Sequence, residues 1–570
     1  MQHLHTELVV IGGGATGAGV ARDAAMRGFD VVLLDRADLC QGTSARYHGL
    51  LHSGGRYVIS DPESATQCAE ENRILRQIHA DAIEDTGGFF VQVPMDSDDY
   101  AEKFLAAANE TGVPAEEITV AQALKEEPLL NPGIKRAFRV EDGAMDGWKI
   151  VWGAATSAQE YGAQILPYHR ATKIVVRDGA IQGVNAVDEK TGEDVRIDCT
   201  FVINAAGPWA GQVAALGGAH GVDVVPGRGI MVGFNQRLVH HVINRCVYPG
   251  DGDLLVPGHP ICIIGTTDQA AVKPDYLEIK DAEVQAMLDK GADMVPALRE
   301  ARAIHVWSGA RPLLKDSRVA ATDTRHMSRG MAVIDHLERD GIRGFLTIAG
   351  GKFTTYRLMA KGVVDDMCAQ LGVECPCLTD KEAVPGASQQ RYHQLSDRLA
   401  AREADRHEEP IVCECELVNR KMVLDMLAEN PSANIDDLRR RLRIGMGPCQ
   451  GTFCGSRVAG IIHEFRAKRV SSEAKTREEA SSAQIASDSA DVASTMLELF
   501  MSNRMGGVKP ILYGQLLSEV ALKNWVGSTL GLGHLPHTSD NAKRATGDMA
   551  LNHPIDRDAP ESAVAQGVNK

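Results

Sequence analysis

One arrangement at the start of the chain constrains everything after it. Glu7-Leu-Val-Val-Ile11 is an apolar run of strand length, Gly12-Gly-Gly14-Ala-Thr-Gly17 a glycine turn, and Ala18 to Arg27 an alanine-rich run of helical length. Gly28 ends that helix, Val31 to Leu34 gives a second strand, and Asp35 stands at its tip. Each position has its own physical duty. Gly12 permits the tight turn, Gly14 lets backbone N–H groups approach a pyrophosphate, and Gly17 lets the helix pack closely on the strand. The helix N-terminus turns its partial positive charge towards the phosphates. Asp35 can accept hydrogen bonds from ribose hydroxyls. A glycine triplet alone is weak, but strand, turn, helix, strand and acid in this order predict a βαβ dinucleotide site.

NAD and FAD share that fingerprint, so the rest of the chain must decide between them. Gly42-Thr43-Ser44-Ala-Arg46-Tyr-His48 and the following Leu-Leu-His52-Ser-Gly-Gly-Arg56-Tyr57 are small and polar enough to wrap an extended cofactor. A glycine-bearing strand, Phe201-Val-Ile-Asn-Ala-Ala-Gly207, could bring bare backbone against it. Another, ending at Gly350-Gly351-Lys352-Phe-Thr354-Thr-Tyr-Arg357, opens a helix. A dinucleotide touched from Gly12 to Arg357 is buried FAD rather than exchangeable NAD.

A chain of 570 residues exceeds one core and calls for several domains. Residues 1–385 read as an FAD-binding unit with an interleaved substrate domain, and 386–408 as a polar helical linker. Residues 409–468 form a compact four-cysteine domain, 469–490 a Ser/Ala/Glu-rich linker, 491–535 a helical segment and 536–570 a disordered tail. The 60 basic residues against 76 acidic ones leave a net charge of −16, which repels nucleic acid. No signal peptide and no spanning run of about 18 apolar residues is visible, so any membrane contact is peripheral or through a partner. The 12 scattered cysteines favour a reducing cytoplasm.

Four of those cysteines are grouped. Cys413-Glu-Cys415 and Cys449-Gln-Gly-Thr-Phe-Cys454, separated by 33 residues, offer thiolates for a [2Fe–2S] cluster or a structural zinc. Cys199, Cys246 and Cys262 read as core, and Cys375-Pro-Cys377 as structural.

The glycine turn, Gly42-Thr-Ser44, His52-Ser-Gly-Gly-Arg56-Tyr57, Asn204-Ala-Ala-Gly-Pro-Trp209, Ser308-Gly-Ala-Arg311-Pro312 and Gly350 to Arg357 together resemble the FAD-dependent glycerol-3-phosphate dehydrogenase family. That family stands in the group of D-amino-acid and sarcosine oxidases. The four-cysteine segment resembles bacterioferritin-associated ferredoxin, whose second pair is more tightly spaced, and narrows the match to the catalytic chain of the anaerobic branch. The resemblance implies an α/β fold, a Rossmann-like FAD domain of the glutathione-reductase type, interleaved with a substrate domain and followed by a ferredoxin-like [2Fe–2S] domain. It implies cofactor contacts at Gly12, Gly14, Gly17, Asp35, Arg36, Gly42, Thr43, Ser44, Gly207, Gly350, Gly351, Lys352 and Thr354.

For substrate, the resemblance implies glycerol 3-phosphate held by Arg56, Arg311, Lys352 and, by a looser match, Arg325. An acidic protein needs such a local cluster to counter a phosphate dianion, although an arginine is by default a surface salt bridge. Oxidation at C2 would send hydride to flavin N5 while a base takes the hydroxyl proton, with His52 the candidate and His48 the second. His52 could equally do no more than hydrogen-bond the flavin. Thr266-Thr-Asp268 would shape the pocket. Electrons would leave through the cluster and B- and C-type partner subunits to quinone, at the inner face of the cytoplasmic membrane. Two rival readings are an amino-acid or opine oxidase, whose arginines would bind a carboxylate, and a non-catalytic flavin and iron–sulfur carrier lacking a substrate pocket.

Overall fold

The computed structural model describes residues 2–315, 330–387, 395–404, 409–474, 482–512 and 515–529. Arg325 and the tail from 536 lie outside the described residues.

The opening motif folds as its sequence demands. Strand β1 (Leu8–Ile11) is buried along its whole length, as a parallel strand covered on both faces must be. It leads through the glycine turn into helix α1 (Ala15–Met26) and back to β2 (Val31–Leu34). β2 pairs in parallel with β1 and with Gln164–Leu166. On its other side β1 pairs with β3 (Phe201–Asn204), which pairs in parallel with a further strand, Phe345–Gly350. Met331–Asp335 closes the sheet as an antiparallel edge. Alanine and valine from α1 and the helices Gly147–Glu160 and Tyr356–Leu371 cover one face.

A second, nine-stranded sheet carries the other wall of the site and is mostly antiparallel. Its spine is a long ladder between β4 (Val224–Phe234) and β5 (Ala303–Leu314), in which Arg311 faces Gly227 across the strands. The sequence between 1 and 385 is thus not a run of uniform βα units. Among the described residues these two sheets share it with a four-stranded and a three-stranded one, and the chain crosses between them several times.

The C-terminal part departs from expectation in two respects. The stretch at 469–490, read as a linker, is helical on both sides, in Cys454–Ala474 and Ser482–Gly506. Alanine and glutamate are strong helix formers, so a composition typical of linkers also favours helix once packing is available. The polar segment 386–408 contains the helix Leu395–Ala404, as expected, but its Arg398 is buried against the cysteine domain. Beyond Ser482–Gly506 the chain returns to the second sheet, where Val508, Ile511, Leu516 and Val520 join its core.

Candidate active site

A cavity of ≈460 Å³ runs from the glycine turn to the second sheet. This lies within the size range of ligand pockets. At the nucleotide end the backbone of Gly12 and Gly14 forms the wall. Gly12 has a φ of +116°, and a side chain there would sit 2.6 Å from the Ala205 carbonyl oxygen. Gly17 does not line the cavity. A methyl group on it would stand 1.7 Å from the Gly12 carbonyl oxygen, so its duty is helix–strand contact. Asp35 is held as an acceptor by the N–H groups of Gly13 at 2.6 Å and Ala37 at 2.9 Å. Burial pushes its carboxyl above the usual carboxylate range, against those two hydrogen bonds. Arg36 lies over the Trp209 ring at 4.5 Å and pairs with Asp275 at 3.0 Å. Ser44 Oγ accepts from the Ala15 N–H at the start of α1, and Thr43 donates to the Ala310 carbonyl. Gly42, Gly207, Gly350 and Gly351 complete this wall. Bare backbone, an acidic tip and a helix N-terminus fit an adenine dinucleotide.

The other end collects the predicted polar residues. His48, His52, Arg56, Arg311 and Lys352 all line the same cavity. His52 is fixed by its backbone: its N–H donates to Thr354 Oγ1 at 3.2 Å, and its carbonyl accepts from Asn72 at 3.0 Å. Its ring lies 5.3 Å from that of Tyr57 and 6.0 Å, edge-on, from that of His48. Thr354 therefore supports the histidine from behind rather than lining the cavity. Burial, reinforced by Arg56 and Arg311, pushes His48 down to about 3. Its Nδ1 accepts from the Leu50 N–H at 3.2 Å, which leaves Nε2 as the protonated nitrogen of a neutral ring.

The cations are more tightly held than the sequence suggested. Arg56 forms a two-oxygen pair with Asp253, at 2.7 and 2.9 Å, and both side chains are buried. Arg311 donates to the Thr267 carbonyl at 2.6 Å and lies 3.3 Å from Asp268. Lys352 donates to Ser64 Oγ at 2.7 Å and sits 4.6 Å above the Tyr57 ring. Sequence reasoning missed Asp253 altogether, because nothing in Gly250-Asp-Gly-Asp253-Leu marks which acid turns inward.

The four cysteines form a ring. Cys413 ends the short strand Ile411–Cys413, and Cys454 begins the helix that follows the Cys449 turn. Cys413 and Cys449 each face Cys415 and Cys454, and these neighbours pull the Cys413 and Cys449 thiols below the usual range. Four thiolates on one zinc, at about 2.3 Å from the metal, would all lie within about 4 Å of one another. Among the described residues only His3, His5 and Asp198 bring three ligand atoms within 4.8 Å of one another. The four cysteines do not converge that closely, which fits a two-iron cluster, whose thiolates are spread over two metals, better than one tetrahedral ion. Gly447 makes room for this ring: a side chain there would stand 2.6 Å from Cys415 Sγ.

A buried ion network ties the ring to the other domains, and no sequence signal announced it. Glu416, fully buried, faces His259 at 2.9 Å, Arg398 at 3.1 Å and Arg443 at 3.3 Å. Burial opposes its ionisation, but His259, Arg443 and Arg398 override that and hold its carboxyl well below the usual range. Arg443 continues to Asp146 at 3.0 Å, the acid that caps the helix Gly147–Glu160.

Fold and site together define a flavin-type oxidoreductase with an appended cysteine domain. Residues 7–357 match the family model for FAD dependent oxidoreductases, and 411–464 that for a BFD-like [2Fe-2S] binding domain. The chain is 36% identical over 571 residues to the A-subunit of anaerobic glycerol-3-phosphate dehydrogenase from Haemophilus influenzae, covering 96% of this chain and 97% of the relative. It is 37% identical over 549 residues to the protein of the same name from Escherichia coli K12, covering 91% and 96%. A glycerol-3-phosphate dehydrogenase from Bacillus halodurans, solved with FAD, shares the fold with a TM-score of 0.53 at 20% identity over 95% of both chains. The chain therefore belongs, within the FAD-dependent oxidoreductases, to the family of anaerobic glycerol-3-phosphate dehydrogenase A-subunits. It is an FAD enzyme with a [2Fe–2S] domain.

Proposed function

We propose that this chain oxidises sn-glycerol 3-phosphate to dihydroxyacetone phosphate and passes the electrons through its cysteine cluster and partner subunits to quinone. The observation that carries the reading is the meeting of Arg311, Lys352 and Arg56 with two histidines at one end of the glycine-lined cavity. The names of the two near-full-length relatives support the same substrate.

Bound FAD supplies a two-electron acceptor for the C2 hydrogen, and the cluster supplies a one-electron exit. The chain's own residues do the rest. Arg311, anchored through Thr267 and Asp268, holds its guanidinium at the substrate phosphate, and Lys352 adds a second charge. Arg56 contributes less, because Asp253 already neutralises it; it orders this wall. His52 takes the C2 hydroxyl proton on a ring nitrogen, with Thr354 and Asn72 fixing its backbone. His48 stays neutral and donates from Nε2, so it orients the substrate rather than acting as the base.

No helix of the described residues is long and apolar enough to cross a membrane. In this reading quinone is met by the B- and C-type partners, with the chain peripheral to the inner face of the cytoplasmic membrane. The test is direct. Glycerol 3-phosphate, mixed anaerobically with the yellow protein, bleaches the flavin absorbance, whereas amino acids leave it unchanged. Bleaching by an amino acid alone, or by neither compound, would overturn the reading.

Two variants separate its parts. Arg311→Ala raises the substrate concentration needed for half-maximal flavin reduction about 100-fold, the loss of a charge-assisted hydrogen-bond pair of roughly 3 kcal/mol. The rate at saturation changes far less. Cys449→Ala removes the electron-spin signal of the reduced cluster and leaves flavin bleaching by substrate intact; a retained signal would take Cys449 out of the ligand set.

A further inference from the structure

A second cavity, of ≈520 Å³, lies between the flavin domain, the second sheet and the cysteine domain. The segment from Gln41 to His48 lines parts of both cavities, while Met446 and Gln450, beside the cysteine ring, close the far side of this one. Ile261, Ile263, Val306 and Trp307 give it an apolar wall.

Three buried donors stand out in its lining. Trp148 Nε1, Gln41 Nε2 and Arg504 Nε are buried in this wall and have no hydrogen-bond partner. All three are donors. Trp148 and Arg504 are each only 8% exposed, so water does not readily serve them. A buried donor left unmade costs free energy, and three on one wall call for an acceptor.

Charge points the same way. The acids of the lining are already engaged: Asp436 with Arg439 and Asn503, Asp146 with Arg443, and Asp275 with Arg36 and Trp209. Glu278 is exposed. Arg504, by contrast, donates only to neutral oxygens, the Gly445 carbonyl and the Gln450 side chain. Burial and Arg439 lower its basicity, against the opposing pull of Asp436, Cys454 and Cys449. Arg46, also in this wall, is lowered by burial and by Arg439 and Arg36.

We infer that this second cavity is an anion site, in which Arg504, Trp148 and Gln41 hold an oxyanion of the phosphate class. The site shares the Gln41–His48 segment with the first cavity, whereas Arg504 and Trp148 line the second alone, and it does not depend on which substrate is oxidised in the first.

The test uses full-length protein carrying both FAD and cluster, in phosphate-free buffer. Inorganic phosphate and adenosine monophosphate are titrated in separate calorimetric runs, which distinguishes a bare oxyanion from one borne on a ring. The Arg311→Ala protein serves as the background, so that the substrate pocket is already weakened. Binding of one equivalent persists in that background and falls about tenfold or more on adding Arg504→Gln, the loss of one charge-assisted contact. Should Arg504→Gln disturb the fold, Trp148→Phe keeps the ring and removes only the indole donor, and is expected to weaken binding several-fold. Neither Arg504→Gln nor Trp148→Phe changes flavin bleaching by glycerol 3-phosphate in the otherwise unaltered protein. Unchanged anion affinity in both variants, release of FAD by the anion, or no binding beyond that lost with Arg311→Ala would overturn the inference.

Discussion

Gly17→Ala is expected to yield a colourless protein. Its new methyl group would lie 1.7 Å from the Gly12 carbonyl oxygen, and the atom in the way is backbone. The clash cannot be relieved by a rotamer change. Either α1 moves off the sheet or the Gly12 turn opens, and both displace the N–H groups that face the pyrophosphate. Overpacking a well-packed site costs typically 1–3 kcal/mol with flexible neighbours, so a backbone clash should exceed about 3 kcal/mol, over a hundredfold in FAD affinity. Flavin content after gel filtration reads this out. A yellow Gly17→Ala protein with full flavin content would mean that the turn and helix do not meet as described.

The second large effect belongs to His52. His52→Asn keeps a polar side chain of similar reach but removes the ring nitrogen that receives the hydroxyl proton. General-base catalysis is worth about 10²–10⁴-fold, and flavin reduction by substrate should slow by that much. The half-saturating substrate concentration should move little, because Arg311 and Lys352 remain. This pattern is the reverse of Arg311→Ala, and the pair therefore separates proton transfer from phosphate binding. Substitution of His48 behaves differently, since that ring is already neutral and its Nδ1 is committed to Leu50. A normal reduction rate in His52→Asn would reduce His52 to a packing residue.

The two ends of the site were unequally legible in the sequence. The nucleotide end was readable because its chemistry is local: Gly12, Gly14, Gly17 and Asp35 sit within one βαβ unit, and each spacing has a steric reason. The substrate end draws on Arg56, Arg311 and Lys352, brought together by two sheets, and glycine-rich motifs flagged each of them as unlike a plain surface arginine or lysine. What sequence could not give was their pairing. Asp253 pairs with Arg56 and Asp268 stands beside Arg311, and an acid's partner 197 residues away leaves no local trace. The same holds for Glu416, whose neighbours His259, Arg398 and Arg443 come from three separate segments. At 469–490, read as linker from its serine and alanine, helices enter from both sides, and 475–481 lie outside the described residues.

Phosphate recognition by the far wall of the flavin cavity is the central claim. Stopped-flow reduction of the flavin by glycerol 3-phosphate and by glycerol, compared in the same anaerobic protein, tests this most directly. The two compounds carry the same oxidisable alcohol and differ only in the dianion. Loss of every contact to a half-buried guanidinium and ammonium, at roughly 2–3 kcal/mol each, predicts that the phosphate ester is favoured by about three orders of magnitude or more in reduction rate per concentration. Equal reduction by glycerol would show that no cationic wall reads the substrate.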